Sequence, residues 1–184
     1  MVCATVTDSS VLADALLTDR QREILDVARA LLAEEGADAL TMGRLARRLG
    51  IKPPSLYKHF ADRTAIETLL VAEGFEATAR ELEGAGPSLA QLGAAYRASA
   101  LAQPELYRLM TDRPLARERL PAGVEERAAA PVVAAAGGDP DLARAIWAFA
   151  HGMVSLELAG RFPPGAELDG AWTLALDAFE RAAD

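Results

Sequence analysis

Between Thr41 and Arg63 lie six basic side chains, Arg44, Arg47, Arg48, Lys52, Lys58 and Arg63, against one carboxylate, Asp62. That balance of +5 sits on a chain of net charge −8, so everything outside the stretch sums to −13. A basic island on an acidic chain is an electrostatic footprint for phosphate. Arginine adds a capability lysine lacks, since its fork can donate two hydrogen bonds to guanine in a major groove. The competing reading, a solvated amphipathic helix pair, is weakened by the caps, turn and aromatic-basic mix described next. No comparable chemistry for catalysis is present. There is no Gly-x-Ser-x-Gly, no phosphate-cradling glycine loop and no His/Asp/Glu metal spacing. The adjacent acids Glu125 and Glu126 do not share a helix face. The chain reads as a non-enzyme with no cofactor and no metal.

Two short helices must position these groups. Thr41 is placed to cap the first, accepting a backbone N–H of its first turn. Leu45, Ala46 and Leu49 give that helix a narrow apolar stripe. Gly50 supplies the stop, because glycine enters the left-handed conformation without steric cost. Pro53 and Pro54 suit the start of a second helix, where a missing N–H is tolerated. Leu56 and Phe60 hold the second helix to the first and leave Ser55, Tyr57, Lys58 and His59 on or near its outer side. The pattern predicts a helix-turn-helix.

The segment from Leu40 to Phe60 resembles the DNA-binding domain of the TetR family of bacterial transcriptional regulators. The matching features are Leu40-Thr41-Met42, Leu45-Ala46, the Gly50-Ile51 turn, and Ser55-Leu56-Tyr57-Lys58-His59-Phe60 followed by Asp62-Arg63. The resemblance covers roughly residues 19–65. It implies a dimeric, all-helical repressor that binds a double-stranded operator and leaves it when a small molecule occupies the C-terminal domain. Carried over residue by residue, it makes Thr41 and Tyr57 hydroxyl donors to phosphate. It places Lys58, His59 and Arg63 toward the DNA backbone and Arg44, Lys52 and Ser55, with Pro54 beside them, at base edges or nearby phosphates. Gly43 and Pro53 stand where relatives often carry a long polar reader. Direct readout is therefore expected to be sparse, with more weight on phosphate contacts and DNA shape.

At 184 residues and 51% apolar, the chain can bury a good core. No apolar run is long enough to span a bilayer, and the N-terminus lacks a charged-then-apolar leader, so a cytoplasmic location is expected. A single cysteine, Cys3, leaves no intrachain disulfide. The periodicity predicts an all-α fold of about nine helices in three parts. Residues 1–17 form a weakly patterned arm, 18–64 the helix-turn-helix domain, and 65–184 a helical ligand-binding and dimerisation domain. The first helix is capped by Thr18 or Asp19 and buries Ile24, Val27, Ala28 and Leu31. A fourth helix, capped by Asp62, runs to about Glu83; in the family it links ligand site to DNA site.

In the C-terminal half, Tyr96, Tyr107, Met110, Trp147 and His151 are the candidates for an apolar ligand pocket. The spacing Trp147-x-x-x-His151-Gly152 resembles a TetR subclass marked by Trp, His and Gly. The eighth helix is apolar nearly all round, which predicts burial on every side. With the ninth it carries more apolar surface than one small domain covers. Trp147, Gly152, Leu156, Trp172, Leu176 and Phe179 are therefore the candidates for a homodimer interface. The alternative to a repressor is a helical small-molecule-binding or partner-binding protein whose helix-turn-helix no longer reads a specific site.

Overall fold

The computed structural model describes residues 17–183; of the expected arm, only residue 17 falls within this range, and Cys3 lies outside it. The described residues form nine α-helices and no strand: α1 Asp19–Glu35, α2 Met42–Arg48, α3 Pro53–Leu56, α4 Arg63–Ala85, α5 Leu89–Ala102, α6 Pro104–Thr111, α7 Val124–Ala135, α8 Pro140–Leu158 and α9 Asp169–Ala183. Short 3-10 turns occupy Ala37–Ala39 and Arg117–Arg119.

Local signals set most of the boundaries. Thr18 opens α1 with a reciprocal capping box to Gln21, and Ser88 opens α5 in the same way with Gln91. Asp139 accepts the N–H groups of Asp141 and Leu142, a cap-then-proline start of α8 with Pro140 as its first residue. The seventh helix begins at Val124 and continues through Pro131.

The chain packs as two compact units. The first takes residues 17–74 and 105–124, the second 75–104 and 125–183. The division falls within α4, and α6 with its following loop groups with the helix-turn-helix. This differs from a cut at residue 64. The reason is visible in the first unit's own contacts. Met110 of α6 packs over the bare backbone of Gly74, where a Cβ would collide with its sulfur. Arg113 donates to Asp38 at 2.6 Å and to Glu67 at 3.3 Å. The core of the first unit is built from Ile24, Leu25, Leu31, Leu40, Leu45 and Leu56, all fully buried.

The second unit closes around α5, α8 and α9. Gly93 in α5 lets α9 approach closely: a Cβ there would stand 2.6 Å from Leu176 Cδ1. Arg97 ties the helix ends together. Its Nε and Nη2 donate to Glu157 at 2.8 Å each, its Nη1 donates to Asp169 at 2.8 Å, and its guanidinium lies 5.9 Å from the centre of the Trp172 ring. Those carboxylates raise its pKa further above the ordinary arginine value. Arg127 makes a similar knot, donating to the buried Glu76 at 2.6 Å and forking onto Glu83 at 2.9 and 3.0 Å.

Candidate nucleic-acid interface

Thr41 caps α2 by accepting the N–H of Arg44 at 3.2 Å, and it is exposed. Its own O–H proton is not used in that bond, so the hydroxyl can cap a helix and donate to a phosphate at once. Met42, Leu45 and Ala46 turn inward, leaving Gly43 and Arg47 on the outer side. Gly50 adopts φ +67, and Ile51 then donates back to the Ala46 carbonyl at 3.0 Å. Lys52 is held extended ahead of the two prolines.

The second helix of the motif is shorter than its pattern suggested. α3 spans four residues, and Tyr57 to His59 continue it as a hydrogen-bonded turn. Leu56 and Phe60 anchor it in the core, as their spacing predicted. Lys52, Pro53, Pro54, Tyr57 and Lys58 are exposed, and Ser55 and His59 are half-buried. Tyr57 shows 53% of its surface, which rules out a core role for its ring within this chain. His59 contributes its backbone as well. Its carbonyl accepts from the Gln21 side chain at 3.2 Å, fixing the motif to α1.

The cations divide into two groups. Arg44 is paired with Glu35; Arg48 donates to Glu34 at 2.6 Å and to Glu35 at 3.1 Å. Hydrogen bonding to Arg48 and Arg44 respectively holds the Glu34 and Glu35 carboxyls below the usual carboxylate range. Arg63 donates through Nε to Glu67 at 2.8 Å and through Nη2 to the Ala37 carbonyl at 2.9 Å. Arg44 and Arg63, both expected toward DNA, are thus held by groups of their own unit. Arg47, Lys52 and Lys58 are exposed and make no ion pair with any described residue. Arg47 was not among the expected contacts. Its signal in the sequence was its position one turn after Gly43, on the flank of α2 opposite the apolar stripe.

The expected ligand-pocket residues are divided between the two units. A cavity of about 30 Å³ in the second unit is lined by Tyr96 and Trp147 together with apolar side chains such as Leu92, Ile146 and Leu176. Tyr107 and Met110 belong to the first unit through α6, and His151 does not line the cavity. The space accommodates about a water or two, against roughly 300–1,000 Å³ for ordinary ligand sites.

The expected dimerisation residues also separate. Trp172 and Leu176 are interior, at 6% and 3% exposure, because Trp172 packs edge-on against Phe149 and Leu176 lies over Gly93. Phe179 is half-buried, its ring 5.9 Å from that of Phe149. Trp147 and Leu156 stand out at 54% and 44% exposure, so α8 is not buried on every side within the chain. Gly152 faces open space, with no atom within 4 Å of a Cβ placed there. Among the described residues there is no cluster of metal-ligating side chains and no helix long and apolar enough to cross a membrane.

A family model described as bacterial regulatory proteins of the tetR family matches residues 24–67, and one described as the tetracyclin repressor-like C-terminal domain matches residues 89–179. The HTH-type transcriptional regulator Rv0681 of Mycobacterium tuberculosis is 31% identical over 156 residues, 76% of this chain and 71% of its own length. The class D tetracycline repressor of Escherichia coli is 40% identical over 53 residues only, 29% of this chain and 24% of the repressor. Among solved structures, the regulatory protein SCO4313 superposes with a TM-score of 0.67 at 30% identity, covering 89% of this chain and 94% of that one. A TetR variant from Acinetobacter baumannii in complex with minocycline gives 0.58 at 25% identity, covering 86% and 92%.

Proposed function

The chain belongs to the TetR family of bacterial regulatory proteins, DNA-binding regulators of transcription, and on that premise we propose that it is a repressor. In this reading it binds a two-fold symmetric operator as a homodimer in the cytoplasm and is released by a small molecule. The observation that carries the reading is the outer side of the helix-turn-helix. Lys52, Tyr57 and Lys58 stand exposed on one short helix and its flanks, with the Thr41 hydroxyl at the cap of the helix before it. These are donors for phosphate, on an element whose shape suits a major groove.

Ser55 and Lys52 are the groups at the start of α3 that can reach base edges, while Gly43 and Pro53 present no hydrogen-bonding side chain. Recognition therefore leans on phosphate contacts and on the deformability of the operator. A homodimer is supported by Trp147 and Leu156, large apolar side chains left in solvent on one helix. An effector site in the second unit is supported by the minocycline complex of the Acinetobacter relative. The test is an electrophoretic shift of the duplex upstream of the chain's own gene. A shift that random duplex does not compete away is the expected result; equal competition by random duplex overturns the repressor reading.

A further inference from the structure

The last two residues of α1, Glu34 and Glu35, meet the guanidinium groups of two arginines on α2. Glu35 is shared between Arg44 and Arg48, and Glu34 takes a second hydrogen bond from Arg48 at 2.6 Å. Arg44 and Arg48 are four residues apart and so lie on one flank of α2. Arg47 lies off that flank, exposed, and makes no ion pair with any described residue. We propose that Glu34 and Glu35 are specificity-setting residues that withhold Arg44 and Arg48 from DNA and leave Arg47 as the arginine of α2 that meets phosphate.

The inference rests on the DNA-binding reading above and follows from what each arginine must give up. For Arg44 to reach a phosphate it must leave Glu35, and that carboxylate then faces the duplex without its counter-charge. Like charges brought together in this way oppose binding. Arg47 gives up nothing. The position one turn before it on the same side is Gly43, where a Cβ would meet no atom within 4 Å, so no neighbouring side chain covers that flank. The carboxylates also make Arg44 and Arg48 poor contributors to sequence-independent attraction. Two fewer available cations per protomer lower affinity for random DNA, which widens the margin in favour of an operator.

The probe is a fluorescein-labelled random-sequence duplex, titrated by anisotropy with the full chain over a series of salt concentrations. Each phosphate neutralised contributes about 0.9 to the slope of log affinity against log salt. Arg47→Ala is expected to flatten that slope by about 0.9 per protomer and Arg44→Ala to leave it at the wild-type value. Glu34→Gln with Glu35→Gln is expected to steepen it, by up to about 0.9 for each arginine released. Glu35→Gln alone, expected to steepen it less, serves if the double variant loses its helical circular dichroism. Flattening by Arg44→Ala equal to that by Arg47→Ala overturns the proposal, as does a wild-type slope in the glutamine variants. A wild-type chain that binds no duplex at low salt overturns the DNA-binding reading as well. Binding by the wild type with the wrong order of slopes overturns this inference alone.

Discussion

Trp147 stacks its indole on the imidazole of His151 one turn along α8, with ring centroids 5.5 Å apart and planes 16° from parallel. The Ser155 hydroxyl lies a further turn on, 3.5 Å from His151 Nε2. A large aromatic held in one orientation at a protein surface suits burial against a second chain, as does the exposed Leu156, which follows Gly152 by one turn. Two helix-turn-helix elements must be held about a helical turn of DNA apart, or a multiple, to read two half-sites.

Gly152→Leu should therefore convert dimer to monomer without unfolding the chain. A Cβ at Gly152 points into open space in its own protomer, and glycine to a better helix former favours α8 by up to about 1 kcal/mol. Sedimentation velocity should report a monomer while circular dichroism stays unchanged. Operator binding should fall toward the sequence-independent level of roughly 10⁻⁴–10⁻⁶ M. A variant that remains dimeric and keeps its operator contradicts the placement of Gly152 in the dimer interface.

Lys58→Ala should weaken binding to every duplex alike. The ammonium is exposed and pairs with no described carboxylate, so its loss removes one phosphate contact and flattens the salt slope by about 0.9 per protomer. A loss confined to the operator would assign Lys58 to base readout instead.

Tyr57→Phe removes one hydroxyl from an exposed ring. Binding should weaken by about 0.5–1.5 kcal/mol, the net value of a hydrogen bond, and the melting temperature should not move. A lower melting temperature with unchanged affinity would show that the hydroxyl serves the fold.

Arg97→Ala should act in the opposite sense, on stability rather than on DNA. It deletes the fork onto Glu157 and the bond to Asp169, and leaves Glu157 half-buried without its counter-charge. A loss of about 1.5–3 kcal/mol is expected, in the range of hydrogen bonds to charged groups. Arg97→Lys should recover part of it, keeping the charge and losing the fork. Thermal unfolding of the two variants and of the parent checks the order.

The helix-turn-helix was legible because its signals are local. A threonine cap, one left-handed glycine and a proline pair each act within a turn of themselves, and the structure places each where the pattern put it. The partners of its arginines were not legible. Glu35 and Arg44 are separated by Gly36, a 3-10 turn and a cap, and nothing in the linear order says that α1 ends against the flank of α2. The same limit scattered the expected ligand set. Tyr107 and Met110 sit on a short helix whose allegiance is decided by Gly74 and by the Arg113 ion pairs, contacts tens of residues distant. On α8 and α9 composition gave the right amount of apolar surface but not its direction. Trp172 and Leu176 turned into the unit because Gly93 makes room for them, and Trp147 and Leu156 turned out.

The small cavity beside Tyr96 and Trp147 bears on how an effector would be sought. With room for about two waters, this cavity would have to widen before a drug-sized compound could occupy it. Measured affinity would then be the affinity of an opened form scaled by the fraction of molecules that occupy it. Ranking compounds by their fit to this small cavity would favour fragments and discard any larger effector. A library read by its effect on the melting curve carries no such bias, because any compound that holds the opened form registers whatever its shape.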